Sequence, residues 1–112
     1  MAIFDHYNHI RLWNWLAEHP DKEKIDWPEW TCNGGKVEYV CGYCFACKYD
    51  MMYGKDCAYC PFGDFYANYC LDMLYIYWDT ELDLTKRSEL AKQIRDLPIR
   101  KDIEVSTNYI KY

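Results

Sequence analysis

The spacing of the cysteines constrains this chain more than any other feature. They stand at Cys32, Cys41, Cys44, Cys47, Cys57, Cys60 and Cys70. From Cys41 onward, every gap is two or nine residues. Two segments inside the run resemble each other: Tyr43-Cys44-Phe45-Ala46-Cys47-Lys48-Tyr49 and Asp56-Cys57-Ala58-Tyr59-Cys60-Pro61-Phe62. Each is a C-x2-C with an aromatic residue inside it and another two residues after it. Two Cys three apart in a tight turn present both sulfurs to one ion at about 2.3 Å, and backbone N–H groups of the turn soften the thiolate charge. Two such knuckles complete a tetrahedron. The spacing therefore predicts an all-thiolate Zn²⁺ site built from Cys44, Cys47, Cys57 and Cys60, with Cys41 or Cys70 as substitutes. Four thiolates fill the coordination sphere, so the expected site is structural. Such a site contributes on the order of 10 kcal/mol to folding, enough to order a loop-rich segment with few apolar residues.

The competing reading of a cysteine is a small buried hydrophobe. It is preferred for Cys32 and for Cys70, which falls on the apolar stripe of an expected helix. An iron–sulfur alternative stands on Cys41-x2-Cys44-x2-Cys47, the three-cysteine run of bacterial ferredoxins. The fourth Cys of that pattern is missing between Lys48 and Asp56. A catalytic dithiol would need a thioredoxin-type βαβ context, which is absent. An odd count of seven fits a disulfide framework poorly. The first twenty residues are interrupted by Asp5, His6, Asn8, His9 and Arg11, unlike the apolar stretch of a secretory signal. No run approaches the length of a membrane span. These features predict a cytoplasmic location, where clustered thiols serve metals.

With 112 residues the chain has room for one core, and residues 1–112 are expected to form a single zinc-stabilised domain. The predicted class is α+β: small and mainly helical, with a short β-hairpin or small sheet and a zinc-knuckle loop segment. A helix is expected over about Phe4–Glu18, with Asp5 as cap, Tyr7, Ile10, Trp13, Leu16 and Ala17 as buried stripe, and His19-Pro20 as stop. DKEKIDWPEW reads as a loop whose Trp27 and Trp30 fold back onto the core, and Asn33-Gly34-Gly35 as a turn. Lys36–Val40 looks strand-like and is expected to pair with the tail Ile103–Tyr112. A second helix is predicted over Asp64–Trp78 with Tyr66, Cys70, Met73 or Leu74, and Tyr77 inward. A third is predicted over Leu84–Leu97, with Arg87, Leu90, Ala91, Ile94 and Leu97 on one side.

Signals for catalysis are weak, and no enzyme activity is expected. The H-x-E of zinc deaminases, a phosphate-binding glycine loop and a G-x-S-x-G elbow are all missing. His6 and His9 are close enough on a helix to share a metal, but helical His pairs are commoner than sites.

Charge and aromatic content bear on partners. The formal charge is −5, with twelve acids and six bases in residues 1–80 against six and seven in 81–112. Zinc in four thiolates would take it to about −7. Phosphate backbones are then repelled over most of the chain. Twelve Tyr exceed what a core this small takes with every hydroxyl satisfied. Tyr49, Tyr53 and Tyr59, on the zinc-pinned loops, are the expected partner-binding anchors. An acidic surface with aromatic anchors suits a protein partner, particularly a basic one. The alternative is a single-stranded nucleic-acid-binding zinc-knuckle regulator, in which aromatics stack on bases and Lys86, Arg87, Lys92, Arg95, Arg100 and Lys101 contact phosphates.

The run LWNWLAEHPDKEKIDWPEW, followed by NGG, CFACKYD, CAYCP and IRDLP, resembles small Cys-rich hypothetical proteins encoded by bacteriophages and prophages of Gram-positive bacteria. The likeness extends over most of the chain up to Pro98 and carries over the knuckle cysteines Cys44, Cys47, Cys57 and Cys60; Cys41 departs from that pattern. It implies a host-cell cytoplasmic protein that binds a host protein, including immune effectors that grip nucleic acid. A counter-defence inhibitor such as an anti-CRISPR is the most specific form of that expectation.

Overall fold

A computed structural model of the chain describes residues 4–38, 45, 71–97 and 99. Three helices carry the described architecture: α1 (His6–Glu18), α2 (Leu71–Thr80) and α3 (Leu84–Arg95), with two short 3₁₀ turns, Lys24–Asp26 and Thr31–Asn33, between α1 and α2.

Helix α1 starts where Asp5 supplies a cap. Its Oδ1 accepts the backbone N–H of Asn8 at 3.1 Å, while Oδ2 accepts the Asn8 side-chain amide at 2.9 Å. One orphan donor of the first turn is thereby satisfied. At the other end the backbone N–H of His19 bonds the Trp15 carbonyl, and Pro20 cannot continue the ladder. Helix α3 repeats the device with Asp83, whose Oδ1 accepts the Lys86 N–H at 3.0 Å, and Lys92 and Arg95 in its last turn complement the helix dipole.

Helix α3 packs against both α1 and α2. Leu12, Trp13, Leu16 and Ala17 from α1 meet Trp78 from α2 and Ala91 and Ile94 from α3 in one buried cluster. Trp13 and Trp78 cross edge to face with centroids 5.0 Å apart, a favoured arrangement of aromatic rings. Leu90 and Leu97 pack partly buried against the cluster, as their spacing predicts.

Two of the predicted stripes are rotated. On α1 the inward set includes Asn8 and His9, while Ile10 is exposed and Tyr7 half-buried. Both polar residues find buried partners, which removes the cost of burying them. On α2 it is Trp78, not Tyr77, that enters the core, with Leu74 and Tyr75 beside it. The residues 64–70 of the predicted second helix lie outside the described residues.

The expected α+β class is corrected. Among the described residues there is no strand and no hairpin, and those residues form a small helical fold. In place of a strand at Lys36–Val40, Val37 makes an isolated parallel bridge to Trp30. Its N–H donates to the Glu29 carbonyl at 2.8 Å and its carbonyl accepts from Thr31 at 2.9 Å. Both backbone groups of Val37 are thus used within their own loop. Tyr39, Val40 and the tail Ile103–Tyr112 lie outside the described residues. No described helix is long and apolar enough to cross a membrane.

Candidate metal centre

The predicted ligands Cys44, Cys47, Cys57 and Cys60, the substitutes Cys41 and Cys70, and the expected anchors Tyr49, Tyr53 and Tyr59 lie outside the described residues. One residue from inside the first knuckle is described, and it shows where that knuckle attaches. Phe45, which directly follows Cys44, has helical backbone and is 2% exposed. Its ring stacks on Trp30 at 5.5 Å between centroids, and it meets Trp27 edge to face at 6.4 Å. Trp27 and Trp30 in turn cross at 5.1 Å and 87°. The interior aromatic of the C-x2-C is therefore a core residue.

The platform under Phe45 is the loop between α1 and residue 38, and its sequence explains its internal hydrogen bonding. The Asp26 carboxylate accepts the Glu23 N–H at 2.9 Å and closes the first 3₁₀ turn. The Trp30 indole N–H donates to the Lys24 carbonyl at 2.8 Å. The side-chain amide of Asn33 donates to the carbonyls of Ile25 and Trp27 at 2.7 and 2.9 Å, stapling the second turn back onto the first. Gly34 ends that turn at φ 92°, in the left-handed region where glycine is strain-free. Gly35 follows with its α-carbon against the backbone of Glu29, where a Cβ would collide with the Glu29 carbonyl.

The platform is tied to the helices through cations. Arg11 of α1 pairs with Glu29 at 3.2 Å and lies over the Trp27 ring at 5.6 Å. Lys24 lies over Tyr75 of α2 at 4.2 Å. Arg87 of α3 is the deepest of these ties. Its guanidinium donates to the carbonyls of Trp78, Pro20 and Lys22 at 3.1, 2.6 and 2.9 Å and to the Glu23 carboxylate at 2.9 Å. It also lies 4.1 Å from the centroid of the Trp78 ring. This clamp joins α2, α3 and the platform. Helical spacing with Leu90, Ala91 and Ile94 announces that Arg87 faces inward, although nothing in the sequence announces its three carbonyl partners.

Other candidate groups have different roles from those the sequence allowed. His9 is buried, with Nε2 3.0 Å from the Ile94 carbonyl, an arrangement in which the ring N–H donates across from α1 to α3. Burial pushes its pKa down to about 3, so it is neutral in the fold. The His6 ring stacks on it at 6.0 Å, and its partial burial also lowers its pKa. His9 is thus a core histidine whose Nε2 is engaged with the Ile94 carbonyl. Cys32 is exposed on the second 3₁₀ turn, which corrects the expectation of a buried small hydrophobe. Its turn faces solvent because Trp30 and Val37 on either side take the inward positions. Among the described residues no group of three or more His, Cys, Asp or Glu is arranged to hold a metal ion.

Of the basic residues named for phosphate contact, Arg87 is consumed by its clamp. Arg95 pairs with Asp96 at 2.8 Å and donates to Asn14 at 2.9 Å, and Lys92 pairs with Glu89 at 3.3 Å. The Arg95 hydrogen bond holds the Asp96 carboxyl below its usual pKa. Arg100 and Lys101 lie outside the described residues. No family model, curated protein or solved structure matches this chain.

Proposed function

We propose that the chain is a zinc-pinned, non-enzymatic protein-interaction module. In this reading one Zn²⁺ is held by Cys44, Cys47, Cys57 and Cys60, and the pinned loops present a surface to a protein partner. The observation that carries it is Phe45. A residue flanked by two knuckle cysteines is packed against Trp27 and Trp30, so closing a metal site around it would fix the cysteine segment to a platform that is already hydrogen-bonded in place. Chelation by two C-x2-C pairs supplies the ordering energy that a Gly- and Cys-rich segment lacks.

The partner is a host protein and the location the host cytoplasm, the chain being phage-encoded as its resemblance implies; inhibition of an immune effector is the form this binding takes. Support for a protein over a nucleic-acid partner comes from electrostatics. The net charge is −5, and three of the seven bases in residues 81–112, Arg87, Lys92 and Arg95, are engaged in contacts within the chain.

Native mass spectrometry of tagged chain purified without chelator tests the reading. It predicts one zinc per chain, lost in Cys44→Ser/Cys47→Ser, with a co-purifying protein. Iron with sulfide, or steeply salt-dependent binding to single-stranded nucleic acid, would replace it.

A further inference from the structure

The connection between α2 and α3 exposes apolar side chains that the fold does not require there. Leu82 is 93% exposed, Ile76 56%, Tyr77 52% and Leu84 52%. Exposed leucines scattered singly are ordinary, but four large apolar side chains within nine residues form a concentration that marks contact surfaces. The linker Glu81–Asp83 needs no apolar residue to do its structural work. Asp83 caps α3 through Lys86, and Glu81 accepts the Asp83 N–H at 3.1 Å.

Along this stretch of sequence the charge is predominantly of one sign, with Lys24 over Tyr75 and the exposed Lys86 of α3 at its margins. Between Lys55 and Lys86 the sequence holds no Lys, Arg or His, while Asp79, Glu81 and Asp83 alternate with Leu82 and Leu84. Asp79 and Asp83 are exposed and Glu81 half-buried. Exposed apolar groups beside a local excess of carboxylates are complementary to a segment that is apolar and cationic. The same field opposes the other occupants. Anionic lipid and nucleic acid are repelled, and a two-fold contact between copies of the chain would bring these carboxylates against each other.

We infer that the α2–α3 turn, with Ile76, Tyr77, Leu82 and Leu84 as anchors and Asp79 and Glu81 as counter-charges, is a docking surface for a basic amphipathic segment of a partner protein. This rests on the reading of the chain as an interaction module and gives that module its contact face.

The test uses metal-loaded full-length chain and a fluorescent amphipathic peptide of Lys and Leu, with leucines at i, i+3, i+4 spacing. A charge-reversed Glu/Leu peptide serves as comparison, and zinc content and melting are measured on every sample. The Lys/Leu peptide is expected to bind. Leu82→Ser/Leu84→Ser and Asp79→Asn/Glu81→Gln are each expected to weaken it by about tenfold or more, the loss of an interface anchor. Glu81→Gln keeps the oxygen that accepts the Asp83 N–H. Glu18→Gln/Glu38→Gln, on exposed carboxylates elsewhere, should leave binding unchanged. Equal loss in that control would make the attraction diffuse and overturn the surface, as would unchanged binding in the turn variants or equal binding of the Glu/Leu peptide. Self-association that Leu82→Ser abolishes would assign the face to a second copy instead. Binding that survives the turn variants but fails in Tyr53→Ala/Tyr59→Ala would remove this surface and leave the interaction module standing. Absence of zinc from the purified chain would count against the module's metal pin alone.

Discussion

Arg87 and His9 are polar residues that the fold buries and satisfies with hydrogen bonds. Arg87 sits 5% exposed with its charge spread over three carbonyls and one carboxylate, a planar fork fitted to several acceptors at once. Arg87→Ala removes those donors and leaves the buried Trp78 carbonyl without its partner. A loss of about 1–3 kcal/mol is expected, the cost of an unsatisfied buried acceptor, and denaturant unfolding measures it. Arg87→Lys should recover only part, because an ammonium cannot reach all four acceptors. His9 governs behaviour in acid. Its pKa falls from 6.5 to about 3 on folding, chiefly through burial. The unfolded chain therefore binds the proton that the folded chain excludes. The contribution of neutral His9 is fully present above pH 6.5 and declines as pH falls from there toward 3, by up to about 1.4 kcal/mol per pH unit for one proton. His9→Gln, whose Nε2 can donate to the Ile94 carbonyl without titrating, should flatten the slope of stability against pH between 6 and 4. An unchanged slope in that variant would assign the acid sensitivity to other groups.

At the scale of elements, the platform of residues 19–38 matters more than any helix, because it carries both the Arg87 clamp and the seat of Phe45. Phe45→Ala should cost about 3–5 kcal/mol, as truncation of a buried Phe does. It should also speed removal of zinc by a chelator, which an equally destabilising Leu12→Ala should not, since Leu12 lies among the helices. Equal chelation rates in the two would separate Phe45 from the metal. Gly35→Ala forces a Cβ onto the Glu29 carbonyl and should displace Trp30, read as a shift of tryptophan emission. The ends of the first helix were legible in the sequence: Asp5 is a short acceptor at the start of a periodic run, and Pro20 halts it; the Asp83 cap of α3 emerges from the structure. The faces were less legible. Hydropathy places Asn8 and His9 outside, yet their partners Asp5 and Ile94 make burial tolerable, and the His9 partner is 85 residues away. Trp78 and Tyr77 are neighbours of similar hydropathy, so only packing against Trp13 and Arg87 decides between them. Val37 has strand propensity, but its own loop takes both of its backbone groups. Of the candidate site, the sequence displays ligand spacing and an aromatic inside each knuckle; that the first of these aromatics joins the Trp27–Trp30 pair is a long-range contact that no local pattern encodes.

The whole molecule combines a small helical core, a hydrogen-bonded tryptophan platform and a cysteine segment entering that platform at Phe45. Between Lys55 and Lys86 six acids stand without a base, whereas Arg87 and Arg95 are engaged in contacts within the fold. This division suits a protein that meets basic protein surfaces. In the proposed reading, metal binding by the cysteines and the seating of Phe45 on the tryptophan platform are a single event. The most direct measurement is a Zn²⁺ titration of metal-free chain that follows thiolate–metal absorbance and tryptophan emission together. One equivalent of metal is expected to saturate both signals at the same point, with emission shifting as Trp27 and Trp30 close around Phe45, and Phe45→Ala should abolish the emission change. Metal uptake that leaves tryptophan emission unmoved, or no stoichiometric uptake at all, would contradict it.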